Sequence, residues 1–106
     1  MTYSQLRAFH NVARYGGFSK AAEQMHQSQP VLSGHIKELE KIYDTLLFKR
    51  EKRSVQLTLA GEELFILTKQ FFETEDQILK HMKKSKASIT GKIRIVADSA
   101  IHILKT

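Results

Sequence analysis

At 106 residues the chain has room for one ordinary domain and a short extension, enough to bury a self-supporting core. Lysine and arginine outnumber aspartate and glutamate by 17 to 11, a formal charge of +6 with a pI near 9.7, which favours an anionic partner such as nucleic acid or an acidic membrane face. Without cysteine there is neither a disulfide framework nor a thiolate metal site, which suits a reducing cytoplasm. No apolar run approaches the ~20 residues that cross a bilayer and no charged-then-apolar leader follows Met1, so neither a membrane nor a secreted address is expected.

From Tyr3 to Tyr15 the residues Leu6, Phe9, Val12 and Ala13 recur at helical spacing, which predicts a first helix with one buried face, ended by Gly16-Gly17. Ser19 is the expected N-cap of a short second helix whose inward face is Ala21, Ala22 and Met25, with His26 to Gln29 as connector. Pro30 belongs in the first turn of a third helix, where its missing N–H costs nothing, behind a cap at Ser28 or Gln29. Leu32, Ile36, Leu39 and Ile42 or Tyr43 fall on one face of that helix and leave Ser33, His35, Lys37 and Lys41 elsewhere.

After Asp44 the pattern shortens to extended runs at Leu47 to Arg50 and Ser54 to Leu57. They flank the charged tip Glu51-Lys52-Arg53 and predict a two-stranded hairpin. Thr58 is the expected cap of a long fourth helix, reaching about Ser85 and so on the order of 40 Å long. Leu64, Phe71 and Ile78 repeat every seven residues along it, as do Phe65, Phe72 and Leu79. A stripe so wide predicts pairing with a second copy of the helix, although Thr74, Glu75 and His81 interrupt the seam. Beyond a basic, small-residue linker from Lys83 to Gly91, the alternation of Ile93 and Ile95 with Lys92 and Arg94 predicts a strand that opens a second, truncated domain.

The residues from about 18 to 37 have helix-turn-helix spacing, though a three-helix bundle with no ligand would show much the same apolar pattern. The surface of the third helix separates the two readings. Gln29, Ser33, His35 and Lys37 offer short polar groups for base edges and a basic group for phosphate, and Lys49, Arg50, Lys52 and Arg53 make a basic wing beside them. The five histidines have no spacing that brings two ligands onto one helical turn, and no Gly-rich phosphate loop, nucleophile elbow or convincing carboxylate pair occurs. Glu38/Glu40 and Glu62/Glu63 read as solvated surface. Neither enzymatic activity nor a metal or other cofactor is expected.

The ordered set "LRAFHNVARYGGFSKAAEQM", "SQPVLSGHIKELE", "LLFKR" and "VQLTLAGEEL" closely resembles the LysR-type transcriptional regulators of bacteria over about residues 3 to 65. The resemblance implies a mainly α winged helix-turn-helix, with a three-helix core and two-stranded wing in residues 1–58. A linker and dimerisation helix follows at 59–90, and an effector-binding domain begins at 91–106. It further implies a homodimer on double-stranded DNA at an inverted repeat, with Gln29, Pro30, Ser33, His35 and Lys37 facing the groove and Arg50 and Arg53 facing the backbone. Dimer contacts would fall at Leu64, Phe65, Phe71, Phe72, Ile78 and Leu79. With so little of an effector domain, no small-molecule inducer is expected of this chain. Two positions depart from the family pattern: Asp44 stands where glycine is usual, and Gly34 where a longer polar or basic residue is frequent. A second reading is a truncated interaction module that pairs through the long helix with full-length relatives and modulates them.

Overall fold

The computed structural model describes residues 1–50 and 54–105, with side chains described for 1–49 and 54–84. Four helices and one hairpin follow in the order α1 (Tyr3–Tyr15), α2 (Phe18–Met25), α3 (Gln29–Tyr43), β1 (Phe48–Arg50), β2 (Val55–Leu57) and α4 (Leu59–Lys105). This is the winged helix-turn-helix with a trailing helix that the sequence predicts. The chain divides into two compact units, the first Met1–Gln70 and the second from Phe71 onward.

Each helix of the first unit starts and stops on local chemistry. Thr2 caps α1 in a reciprocal box: the Gln5 N–H donates to Thr2 Oγ1 at 3.1 Å and the Thr2 N–H donates to Gln5 Oε1 at 3.0 Å. The helix ends at Gly16 in the left-handed region, φ 74°. Helix α2 starts two residues earlier than the Ser19 cap predicts, with Gly17 as N-cap and no side-chain cap bond. Phe18 is thereby inside the first turn, where its ring meets that of Phe48 edge-on at 6.1 Å. Packing of an aromatic ring outweighs the modest gain of a serine cap. His26 ends α2 in a left-handed conformation, φ 55°, with its N–H turned to the carbonyls of Ala22 and Glu23.

Ser28 caps α3, its hydroxyl accepting from the Val31 N–H at 3.3 Å, with Pro30 in the first turn as expected. Asp44 closes the helix in the left-handed region at φ 47°, ψ 47°, its N–H reaching the carbonyls of Glu40 and Lys41. The geometry that glycine serves in the family the sequence resembles is therefore kept, by one of the few side-chain-bearing residue types that adopt it at modest cost.

The core gathers Ala8, Phe9 and Val12 from α1, Ala21 and Ala22 from α2, Leu32, Ile36 and Leu39 from α3, and Leu47 and Phe48 from the hairpin. The alanines of α2 leave room for the larger side chains of its neighbours, and the Phe9 and Phe48 rings stack tilted at 5.3 Å. Ile42 and Tyr43, one of which is expected to complete the inward face of α3, are instead 50% and 55% exposed. Leu47 and Phe48 are buried in their place, brought in by the turn after Asp44. The strands pair antiparallel in the register Phe48↔Leu57, Lys49↔Gln56, Arg50↔Val55. The wing tip Glu51-Lys52-Arg53 lies outside the described residues.

Thr58 does cap α4: its hydroxyl accepts from the Gly61 N–H at 3.0 Å and donates to the Leu46 carbonyl at 2.7 Å. The helix runs on to Lys105, through the expected linker and through the Ile93/Ile95 alternation that predicts a strand. Two alternating isoleucines supply one face of a strand but no partner ladder, whereas a helix satisfies its own backbone groups within the segment. No helix among the described residues is long and apolar enough to cross a membrane.

Candidate nucleic-acid interface

The site is organised by the buried side of α3. With about 100° between successive residues, burial of Leu32, Ile36 and Leu39 turns Pro30, Gly34, Lys37 and Lys41 to the opposite arc. All four are exposed. Ser33 sits half-buried on one edge of this arc, and Gln29 stands exposed in the first turn. Lys37 and Lys41 have no ion-pair partner among the described residues, so the face carries free positive charge.

His35 is separated from the others. Two positions along a helix amount to about 160° around it, so His35 and Lys37 leave opposite flanks. His35, half-buried, shares its flank with Val31 and Ile42, which are 47% and 50% exposed. The predicted set is therefore divided into Gln29, Pro30, Ser33 and Lys37 on one side and His35 on the other. Gly34 and Lys41 complete the first group.

The wing contributes its outward face. Lys49 and its cross-strand partner Gln56 are both exposed, while Phe48 on the inner face is buried and Leu57 half-buried. Arg50 is the last residue of β1, opposite Val55; its side chain lies beyond what is described, and Arg53 lies outside the described residues altogether.

A carboxylate read as solvated surface joins these two parts. Glu40, half-buried, accepts the Leu47 N–H at 2.8 Å and the Phe48 N–H at 3.4 Å through one oxygen, Oε2. It ties the last turn of α3 to the base of the wing with charge-assisted hydrogen bonds, and it withdraws a negative charge from the outward arc. No sequence spacing points to this contact, because it depends on where the chain returns after Asp44. Gly61 belongs to the same joint. A Cβ there would collide with the Leu47 carbonyl and crowd the Leu57 side chain at 3.0 Å, so only glycine lets α4 start against the base of the wing.

The first unit's part of α4 is rooted on α1. His10 Nδ1 lies 2.9 Å from Thr68 Oγ1, and Thr68, 1% exposed, also reaches the Phe65 carbonyl at 3.1 Å. A threonine hydroxyl has one proton, so when it donates to the carbonyl it accepts from His10, which then carries its proton on Nδ1. The imidazole also rests against the Phe65 ring at 5.5 Å. Burial, then the charges of Arg14 and Lys69, holds its pKa below the usual 6.5. Of the expected dimer residues, Leu64 and Phe65 are half-buried against the unit's own core, while Ile66 and Leu67 beside them are exposed. Within the second unit Phe71, Ile78 and Leu79 are exposed and Phe72 is half-buried, its ring edge-on to that of Phe71 at 5.0 Å. No cluster of three or more His, Cys, Asp or Glu that could hold a metal occurs among the described residues.

The chain matches the family described as "Bacterial regulatory helix-turn-helix protein, lysR family" over residues 3–62. It is 33% identical over 98 residues to the RuBisCO operon transcriptional regulator of Allochromatium vinosum, covering 92% of this chain and 32% of that protein. Among solved structures, a complex of the BenM DNA-binding domain with catB site 1 DNA is similar with a TM-score of 0.74 at 28% identity, covering 86% of this chain and 97% of that one. Full-length OxyR from Pseudomonas aeruginosa is similar with a TM-score of 0.72 at 35% identity, covering 81% and 29%. The chain thus spans about a third of the length of the curated relatives it matches, and those relatives are transcriptional regulators rather than enzymes. With the helix-turn-helix, the wing and the trailing helix in family order, the chain belongs to the LysR family of bacterial regulatory helix-turn-helix proteins.

Proposed function

We propose that this chain is the DNA-binding part of a cytoplasmic transcriptional regulator, and that it acts as a homodimer on an inverted repeat in double-stranded DNA. The observation that carries the reading is the arc of α3. Its buried counterpart is used by the core, and what remains outward is Pro30, Gly34, Lys37 and Lys41, with Gln29 and Ser33 beside them and, among the described residues, no acidic partner on the lysines. The similarity to a regulator solved on DNA supports the same reading.

On this reading α3 enters the major groove. Gln29 offers both a donor and an acceptor to an adenine edge, Ser33 hydrogen-bonds a base or a sugar, and Lys37 and Lys41 reach phosphates. Lys49, Arg50 and Arg53 of the wing follow the adjacent backbone. His35, on the other flank, is assigned to the groove wall rather than to the base-reading set. Residues 59–90 serve as the linker and pairing helix, and the part from 91 onward is the entry to an effector-binding domain, in keeping with relatives about three times as long. Pairing would draw on the exposed Leu67, Phe71, Ile78 and Leu79, with Leu64 and Phe65 shared between the chain's own core and the partner.

Selection of bound duplexes from a random pool is the deciding experiment, and an interrupted inverted repeat is the expected product. On the selected duplex, log K falls against log salt with a slope of about −0.9 for each phosphate neutralised. Lys37→Ala reduces that slope by about 1 per protomer, while Gln29→Ala relaxes base preference at one position by ~1–3 kcal/mol. Retention of no duplex, even at low salt, overturns the reading, and recovery of an asymmetric single half-site overturns the dimer.

A further inference from the structure

Nothing among the described residues asks for glycine at position 34. Gly16 ends α1 at φ 74°, Gly61 sits under the Leu47 carbonyl, and Gly17 occupies an N-cap; each has a use in the fold. Gly34 has an ordinary helical backbone inside α3, and a Cβ built there meets no atom within 4 Å. A glycine in a helix interior lowers stability relative to alanine, so the chain carries a cost at this position that its own packing does not repay. The position is also the middle of the outward arc, one turn after Pro30, one turn before Lys37 and two before Lys41.

We propose that Gly34 is the point of closest approach between α3 and the floor of the major groove, and that the groove, rather than the fold, selects glycine there. This inference rests on the DNA-binding reading above. A bare Cα lets the helix backbone lie against base edges. A methyl group at that point would hold the helix off by up to about 1.5 Å, the length of the added carbon–carbon bond. Hydrogen bonds from Gln29 and Ser33 to bases are made at about 2.7–3.2 Å and do not survive such a displacement. Phosphate contacts through Lys37 and Lys41 tolerate it better, because a flexible four-carbon stem carries the charge. Gly34 is thus a positioning residue for specificity, acting through the depth at which its neighbours read.

The test compares wild type, Gly34→Ala and Lys37→Ala on two probes, the duplex selected from the random pool by the wild-type chain and a scrambled duplex of equal length. Gly34→Ala is expected to raise the thermal midpoint by about 4–8 °C, as relief of a helical glycine in a small domain should. At the same time it is expected to weaken binding to the selected duplex tenfold or more and leave scrambled-duplex binding within about threefold, with the salt slope unchanged. Selected-duplex binding at wild-type strength, with Lys37→Ala still weakened, overturns the inference and leaves the DNA-binding reading intact. A lowered thermal midpoint also overturns it, since glycine would then serve the fold. Absence of binding by the wild type to either probe overturns both.

Discussion

Gly61 and His10 show how single residues near the hairpin and the trailing helix hold this fold together. The carbonyl of Leu47 occupies the space a side chain at 61 would need, and the same carbonyl accepts the Thr58 N–H at 3.0 Å, so neither element can retreat without breaking a bond. Gly61→Ala is therefore expected to destabilise by about 1–3 kcal/mol, read as a lower denaturant midpoint with an unchanged slope. His10 makes stability depend on pH with a definite sign. Burial and the charges of Arg14 and Lys69 depress its pKa in the folded state, whereas the unfolded chain protonates near 6.5. As pH falls through 6.5 the unfolded state gains a proton that the folded state resists, so stability declines until the folded-state pKa is passed. Urea titrations between about pH 7.5 and about pH 5 should show a smaller loss for His10→Gln than for wild type; equal losses would remove His10 from the account.

Elements are joined by contacts of the same kind, and the α3 to wing connection is the one that shapes the interface. Glu40 Oε2 receives the N–H groups of Leu47, just before β1, and Phe48, its first residue, so one carboxylate ties the wing to α3. Glu40→Gln keeps the shape but halves the strength of charge-assisted bonds, and is expected to cost about 1–2 kcal/mol of stability. A variant as stable as wild type would show that Phe48 packing and the Thr58 hydrogen bonds hold the wing without Glu40. The run of helices was legible because caps and apolar spacing are local: Ser28 before Pro30 and Thr58 before Gly61 are visible in a window of four residues, whereas the box of Thr2 and Gln5 went unread and the Ser19 cap gave way to Gly17. The strand expected at Ile93 and Ile95 was not realised, because alternation over four residues states a preference and a ladder partner must realise it.

At the scale of the whole molecule the proposed function joins the formal charge of +6 to the exposed apolar residues of α4. On the proposed function, the α3 lysines would attract the phosphate backbone, and two copies joined through α4 would convert the second half-site into an intramolecular encounter. Replacing Phe71 and Ile78, which are 46% and 57% exposed, with glutamate removes that apolar surface without opening a cavity in the first unit's core. Sedimentation should report a monomer for the double variant and a dimer for wild type. The variant should retain helical circular dichroism while losing preference for the paired half-sites. A monomeric wild type would sink the pairing assignment.

The sequence by itself determined the helices of the first unit, the hairpin, the inward set Leu32, Ile36 and Leu39, and the candidate reading group on α3. These follow from periodicity, capping and composition, which are properties of residues a few positions apart. Tertiary structure decided the rest. It spent Glu40 on a strand that begins eight residues later and bound His10 to Thr68 across 58 positions. It also divided the apolar stripe of α4, committing Leu64 and Phe65 to the core while Leu67, Phe71, Ile78 and Leu79 stay exposed. Such outcomes depend on where the elements cross and on which atoms then compete for the same space, and no local pattern along the chain encodes that.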